Sequence, residues 1–591
     1  MSSENTAKLP EWDLADLYDG PEAPGLEFDL NAAEKAAGVL KDTYQGKLAS
    51  LDGAGLGVAI AAYEAMSEIV QRVMSYGQLL HTINTTDAEI GRFFQTLQER
   101  VNAITTDVLF FTLELNDLDE ATLTAQMADP AAARYAPWIN DTRAFKPHQL
   151  DENLEKLLHE KEVAGRGAWV RLFDETLAHL RFYIDGTETT LTDTLNQLTD
   201  SDGAKRRVAG KALANGLKDT QRLFTTITNT LAKDKEIEDR WRQFETPAQS
   251  RHMANKVETE VVDALAGAVS DSYADLAHRY YGLKAKWMGV KKMDWWDRNA
   301  PLPDDAERRF SWDEARETVL GAYRNFDPSM AGTAEDFFTK PWIDAPAREG
   351  KASGAFAHPT VPSAHPYILL NFHGKSRDVM TLAHELGHGV HQVLAGPQGL
   401  LLGNTPLTLA ETASVFGEML TFRAMLDAED DPARKRVLLA GKVEDMLNTV
   451  VRQIAFHEFE TVVHAERQNG ELSAERIVDI WMETQTRSLG PVFNFDDDYR
   501  MLWAYVPHFI HVPFYVYAYA FGDCLVNALY AVFQDGHPGF QAKYLDMLSQ
   551  GGAMHHKELL APFGLDASDP GFWKKGLGVV SGFIDELEEA L

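Results

Sequence analysis

Apolar residues fall at helical spacing along most of this chain. In residues 63–80, Met66, Ile69, Val70, Val73 and Leu79 recur every three or four positions, the stripe an amphipathic helix turns toward a core. Residues 90–115 continue in the same way through Phe93, Leu97, Val101, Ile104, Val108 and Phe111, and 154–180 and 191–231 share the pattern. Ala, Leu, Glu, Lys and Arg are plentiful and internal prolines few, which favours helix. No coiled-coil heptads and no fixed-period repeat are found. The pattern predicts a mostly α protein.

The interruptions are local. Asp185-Gly186 and Asp202-Gly203 are turn signals, and they divide an N-terminal helical region, 1–200, from a main body, 201–591. Pro301 and Pro303 mark a second break within 299–305. Residues 350–372 change character: Gly354, Pro359, Pro362 and Pro366 lead into Tyr367-Ile368-Leu369-Leu370-Asn371-Phe372, a short apolar run that reads as a strand. A small β-sheet is expected there, with this strand as an edge that an extended peptide could join. Residues 396–404 read as a loop between helices, and the chain is helical again after Phe533.

Composition narrows the function classes. Of 591 residues, 45% are hydrophobic and 25% charged, which is ordinary for a globular protein with a sizeable core. The net charge of −33 argues against nucleic acid and anionic membranes as partners, since both require clustered Lys and Arg. Cys524 is the only cysteine, so no internal disulfide forms. It lies in an apolar run and reads as a buried thiol. The start, MSSENTAKLPEWDLADLYDG, lacks a basic segment followed by an apolar one, and a cytoplasmic location is expected. The apolar stretch 503–533 contains Pro507, His508, His511, Pro513 and Asp523. Such residues are costly in lipid, so it reads as a buried helix or pocket wall.

Chemistry concentrates in MTLAHELGHGVHQVLA, residues 380–395. His384 and His388 are four apart, which on a helix separates them by only ~40° around the axis. Both imidazoles point one way and can share an ion. Zinc suits two imidazoles, a third protein ligand and a water in tetrahedral geometry. Glu385 sits ~100° round the helix from His384, beside the ion, where a base would take a proton from zinc-activated water. Alone, the H-E-x-x-H pattern is weak: with 19 histidines in the chain, chance gives it on the order of once in twenty such sequences. Context strengthens it. Ser376 or Asp378 can cap the helix. Gly387 and Gly389 lie inside it, each costing ~1 kcal/mol against alanine, a cost that a close neighbour such as a strand or substrate would explain.

The third ligand must be another His, Asp or Glu. Position 394 is Leu, so the HExxHxxGxxH arrangement is excluded. Residues 407–422, LTLAETASVFGEMLTF, read as a helix with Glu411 and Glu418 seven apart and nearly on one face, and Ser414 between them. Acids on an apolar helix need partners. Glu411 is the expected ligand, with Glu418 behind it or facing substrate.

HELGH followed by E-x-x-S-x-x-x-E resembles the thimet oligopeptidase family of zinc peptidases, in particular its oligoendopeptidase F branch. The resemblance runs from WDLADLY at 12–18, through PYILLNF at 366–372, to PHFIHVPFYVYAYAFGD at 507–523. It implies one Zn2+ per chain held by His384, His388 and Glu411, with Glu385 as base. It further implies a helical, clam-like body with a deep central channel, and cleavage of short unfolded peptides. His and Tyr residues of the 505–519 segment would contact substrate and the oxyanion. That places His508, Tyr515 and Tyr519 in the site. Their spacing departs by about one residue from the family pattern, and His511 is extra.

Other histidines read as structural: His391 as core or surface, His358, His365 and His373 beside the strand, and His555-His556 as surface. On sequence alone two other functions remain open. One is a metallocarboxypeptidase, for which Arg377, Arg423 and Arg500 are available to hold a terminal carboxylate. The other is a non-catalytic peptide-binding helical scaffold. Oligomeric state is not legible, and a monomer is the plain reading.

Overall fold

The computed structural model describes residues 9–589 apart from 163 and 303–307, so Pro303 and Asp305 of the second break lie outside the described residues. The protein is helical almost throughout, with small sheets only. Two compact units interleave along the chain. One comprises Met1–Lys146, Glu307–Ala428 and Gly536–Gly564, the other Pro147–Ala306, Glu429–Asp535 and Leu565–Leu591.

In the first unit, the 63–80 stripe belongs to a longer helix, Gly53–Thr82, started by Asp52, whose carboxylate accepts from the Gly55 N–H. Length and composition alone would let this helix cross a membrane, but its stripe of Leu56, Ile60, Met66, Val73 and Leu79 is buried, and helices Pro24–Tyr44 and Ala88–Asp107 pack on it. Aspartates open other helices in the same way: Asp87, Asp119, Asp129, Asp202, Asp327 and Asp431 each accept from first-turn N–H groups. Part of the acidic excess thus serves as N-caps, where the helix dipole favours negative charge.

The sheet of this unit has three strands, in the order Ile343–Asp344, Tyr367–Leu369, Phe356–His358. The strand expected from the apolar run is therefore central and not an edge. Ile343–Asp344 pairs with it in parallel and Phe356–His358 antiparallel, so both of its flanks are taken and it has no backbone to offer a peptide. The sheet packs against helix Ser376–Ala395, as expected.

The second unit contains the 503–533 stretch. It forms a short 3-10 segment, Tyr499–Tyr505, one turn at His508–His511 and the helix Tyr517–Gln534. That helix buries Cys524 and packs against Pro570–Glu589 and Val451–Arg467. The Asp185-Gly186 signal is a hairpin turn, both residues at positive φ, joining strands Phe182–Ile184 and Thr187–Thr189. Periodic segments expected to run on are broken: 90–115 divides at Val108, 154–180 at Gly165, and 191–231 into three helices.

Candidate metal centre and active site

Helix Ser376–Ala395 carries HELGH. Its N-cap is Lys375 and not Ser376; Asp378, at the third position, accepts from the backbone N–H of His373 and of Lys375. The two glycines have a clear steric reason. A Cβ on Gly387 would stand 2.4 Å from the Ala413 carbonyl oxygen and 2.7 Å from Ser414 Cα, and one on Gly389 would strike the Phe337 ring. The close neighbour is therefore helix Thr412–Asp427, with Phe337 behind, and neither a strand nor substrate. Tyr323 locks this crossing, its hydroxyl donating to the Ala383 carbonyl at 2.6 Å.

Residues 407–422 are not one helix. Leu407–Ala410 stops, Glu411 forms the junction, and Thr412–Asp427 begins. Glu411 thus points off a helix start, directly at the histidines. Its Oε2 lies 3.3 Å from His384 Nε2 and 3.4 Å from His388 Nε2, and the donor atoms of all three residues fall within 4.8 Å of one another. A tetrahedral ion bound at ~2.05 Å sets its ligands ~3.3 Å apart. Two of the three separations match that edge, so the residues fit a zinc-like ion.

Glu418 bonds the far side of the same ring. His384 Nδ1 and Glu418 Oε2 are 3.2 Å apart, so Nδ1–H donates to Glu418 and Nε2 is the nitrogen that faces Glu411. Ser414 donates to Glu411 Oε2 at 2.7 Å and fixes the carboxylate. Burial would drive protons off His384, but hydrogen bonds to Glu411 and Glu418 outweigh it and raise the imidazole to about 10. Burial would likewise raise Glu411, yet the two histidines hold it well below the carboxylate range. Two carboxylates bracketing one imidazole demand positive charge there, from a proton or a divalent cation.

Glu385 is buried beside this trio. Burial raises its carboxyl, the two imidazoles oppose that rise, and Glu411 adds to it. The carboxylate also accepts from the Ala357 backbone on strand Phe356–His358, whose carbonyl takes Gln392 Nε2 at 3.3 Å. The sheet thus holds the helix and its acid in register. Ala357 acts through its backbone alone, so no side-chain signal marks it in the sequence.

Within the second unit, the three residues expected from the 505–519 segment lie together. Tyr519 Oη is 3.2 Å from His508 Nε2, and the Tyr515 ring lies 5.3 Å from Tyr519 and 6.2 Å from His508. Tyr519 is exposed. Burial, then the charges of His511 and Arg452, keeps the His508 imidazole below its ordinary value. Tyr517 faces the other way: it is buried, with its hydroxyl held by His252 at 3.0 Å and Asn255 at 2.9 Å. The extra His511 pairs with Asp174 at 2.7 Å.

The remaining histidines are mostly structural. His391 is buried against Thr405 at 3.3 Å and lowered by burial to about 4. His358 accepts from the Thr360 N–H, and His365 stacks on Trp342. Of the pair expected at the surface, His555 is exposed but His556 is buried, because it opens the short helix His556–Leu560 on its inner side.

Comparison with known proteins gives the family. The profile of peptidase family M3 matches residues 196–579. The chain belongs to peptidase family M3. A second profile, oligopeptidase F, matches residues 114–182. Oligopeptidase PepF of Bacillus subtilis is 26% identical over 600 residues, covering 98% of this chain and 87% of the relative. An oligoendopeptidase F homolog of Lactococcus lactis is 24% identical, covering 99% and 98%. Among solved structures, a candidate peptidase from Chlamydophila abortus shares the fold with a TM-score of 0.86 at 20% identity, covering 98% of each chain. Oligoendopeptidase-F from Enterococcus faecium does so at 0.69 and 19%, covering 96% and 99%. This family M3 chain is a peptidase, with a candidate metal-binding trio where its HELGH motif predicted one.

Proposed function

We propose that this M3 peptidase is a zinc-dependent endopeptidase of short, unfolded peptides. His384, His388 and Glu411 would hold one Zn2+ per chain, and Glu385 would be the general base. The observation that carries this reading is the convergence of three donor atoms within 4.8 Å, two of their separations at a tetrahedral edge, with a second, buried carboxylate, Glu385, next to them. Zinc, when bound, supplies a Lewis acid that polarises the scissile carbonyl and acidifies water. Glu385 would take the proton of the attacking water and pass it to the leaving amine. Glu418 keeps His384 in the ligating tautomer, and the Ala357 N–H orients Glu385. His508, Tyr515 and Tyr519 are assigned as donors to the oxyanion and the substrate backbone. Residues 201–591 are taken as the catalytic domain and 1–200 as an N-terminal helical region, a division supported by the span of the M3 profile.

The test is hydrolysis of a quenched peptide library blocked at both ends, by wild type and Glu385→Gln, with zinc content measured. The reading expects internal cleavage, about one zinc per chain in both proteins, and a loss of ~10²–10⁴-fold in the variant. Cleavage only of peptides with a free C-terminus would instead support a carboxypeptidase, and full activity in the variant would remove Glu385 from the chemistry.

A further inference from the structure

Arg452 is a cation without a counter-charge. It is the second residue of helix Val451–Arg467. Its Nε is buried with no hydrogen-bond partner, and among the described residues no carboxylate pairs with it. Its guanidinium carbon stands 5.1 Å from the Phe456 ring centre. Asn448, four residues earlier, takes Arg298 Nη2 at 2.8 Å, which sets a second guanidinium next to the first. The other partner of Arg298 is also a neutral amide, Asn299 Oδ1 at 3.4 Å. Tyr281, buried, and Tyr505 stand nearby, and neither hydroxyl has a hydrogen bond among the described residues. Burial, and then the Arg298 charge, holds the Arg452 guanidinium below its ordinary value.

Two adjacent cations, one with its Nε shut off from water, are costly unless an anion joins them. The surroundings indicate which anion. Phe456, under Arg452, packs 5.4 Å from Phe509, the residue after His508, and the Arg452 charge is felt at His508 itself. The pair therefore adjoins the face carrying His508 and Tyr519. A guanidinium fork matches a carboxylate in two parallel hydrogen bonds, and every unblocked peptide brings a carboxylate. In a chain of net charge −33, long-range repulsion works against anionic peptides, so binding their carboxylates requires a local cation.

We propose that Arg452, backed by Arg298, forms a subsite beside His508 that binds a carboxylate of the bound peptide, either its C-terminus or an Asp or Glu side chain. This rests on the peptidase reading above and on the 505–519 segment contacting substrate. Arg452 is not among the arginines that sequence position suggests for such a role, Arg377, Arg423 and Arg500. Of those three, Arg500 is paired with Asp479.

The experiment uses one neutral peptide in three forms: C-terminal acid, C-terminal amide, and amide carrying a single Glu. Affinity is measured by calorimetry on the full chain stripped of metal, so binding is read without turnover, and kcat/KM is measured on the zinc-loaded chain. At least one carboxylate form should bind about tenfold more tightly than the plain amide. Arg452→Gln should bring that ratio to about one, and Arg452→Lys should keep part of it. A preference for the acid assigns the terminus, and one for the Glu amide assigns a side chain. Equal binding of all three forms by wild type overturns the subsite whatever the variants do. So does a ratio that survives in folded Arg452→Gln, or chloride competing equally against all three, which would make a small inorganic anion the occupant. If calorimetry separates the forms while no peptide is cut, the subsite stands and the peptidase reading falls.

Discussion

His384 Nδ1 faces Glu418 Oε2 across 3.2 Å while Nε2 of the same ring faces Glu411 Oε2 across 3.3 Å. One imidazole therefore joins two acids seven residues apart, and the acid behind it decides which nitrogen carries the proton. An acceptor on Nδ1 also makes Nε2 a better ligand.

Glu418→Gln tests this directly. The amide loses the charge that stabilises the Nδ1–H, and its own NH2 competes for the ring. Zinc affinity, measured by competition with a chromophoric chelator, should fall ~10–100-fold. Activity should return when zinc is raised to saturation. Unchanged affinity would reduce Glu418 to a bystander.

The crossing of the two site helices has no spare volume. Gly387→Ala would place a methyl 2.4 Å from the Ala413 carbonyl oxygen, and a backbone atom there cannot swing away. The variant should lose ~1–3 kcal/mol of stability by overpacking, and more zinc affinity than stability alone explains, because the displaced backbone leads straight to Glu411. Gly441→Ala is the control. It lies inside helix Pro432–Thr449 with nothing within 4 Å of an added Cβ, and should gain ~0.5–1 kcal/mol. Thermal melts of both variants decide the matter.

How much of the site is legible in the sequence follows from the range of each interaction. The HELGH helix is readable because both candidate ligands and the proposed base lie within one turn of local geometry. Glu411 is readable because few acids follow on an apolar segment. Its position at a helix junction is not, since LTLAETASVF has unbroken helical character. The sheet lies where the apolar run 367–372 puts it, but that run is the central strand and not an edge: the flanking strands Ile343–Asp344 and Phe356–His358 are too short to show a period of two. Tyr323, Ala357 and Arg452 act from distant segments and carry no motif. Of the tyrosines in 505–519, the sequence does not say which face of the helix Tyr517–Gln534 turns inward, so it does not separate the exposed Tyr519 from the buried Tyr517.

Tyr519 and His508 give a third prediction. If the Tyr519 hydroxyl donates to the oxyanion, Tyr519→Phe should lower kcat ~10²–10³-fold with KM nearly constant. If it only orients His508 through their 3.2 Å contact, kcat should fall less and the pH profile should move with the His508 ionisation. A normal kcat and pH profile would exclude both roles.

The last prediction concerns Glu460, which holds the turn that presents Tyr515. Phe514 has φ of 61°, a conformation that is strained for a bulky residue. Its N–H donates to Glu460 Oε1 at 2.9 Å. Glu460 is fully enclosed. Burial raises its carboxyl to about 8, opposed by the Phe514 hydrogen bond and by Arg251, and so it is protonated at neutral pH. In the unfolded chain an ordinary Glu releases its proton near pH ~4.3. Between that pH and about 8 the folded state binds more protons than the unfolded one, so stability is full on the acid side and declines as pH rises through this window. Glu460→Gln keeps an acceptor for the Phe514 N–H and removes the titration. Its melting temperature should be flatter than wild type from pH 5 to pH 8, with the difference growing toward the alkaline end. Glu460→Ala, which leaves the Phe514 N–H buried and unbonded, should cost ~1–3 kcal/mol at every pH. Parallel melting curves for wild type and Glu460→Gln would show that the carboxyl is already ionised and that the turn is held by charge instead.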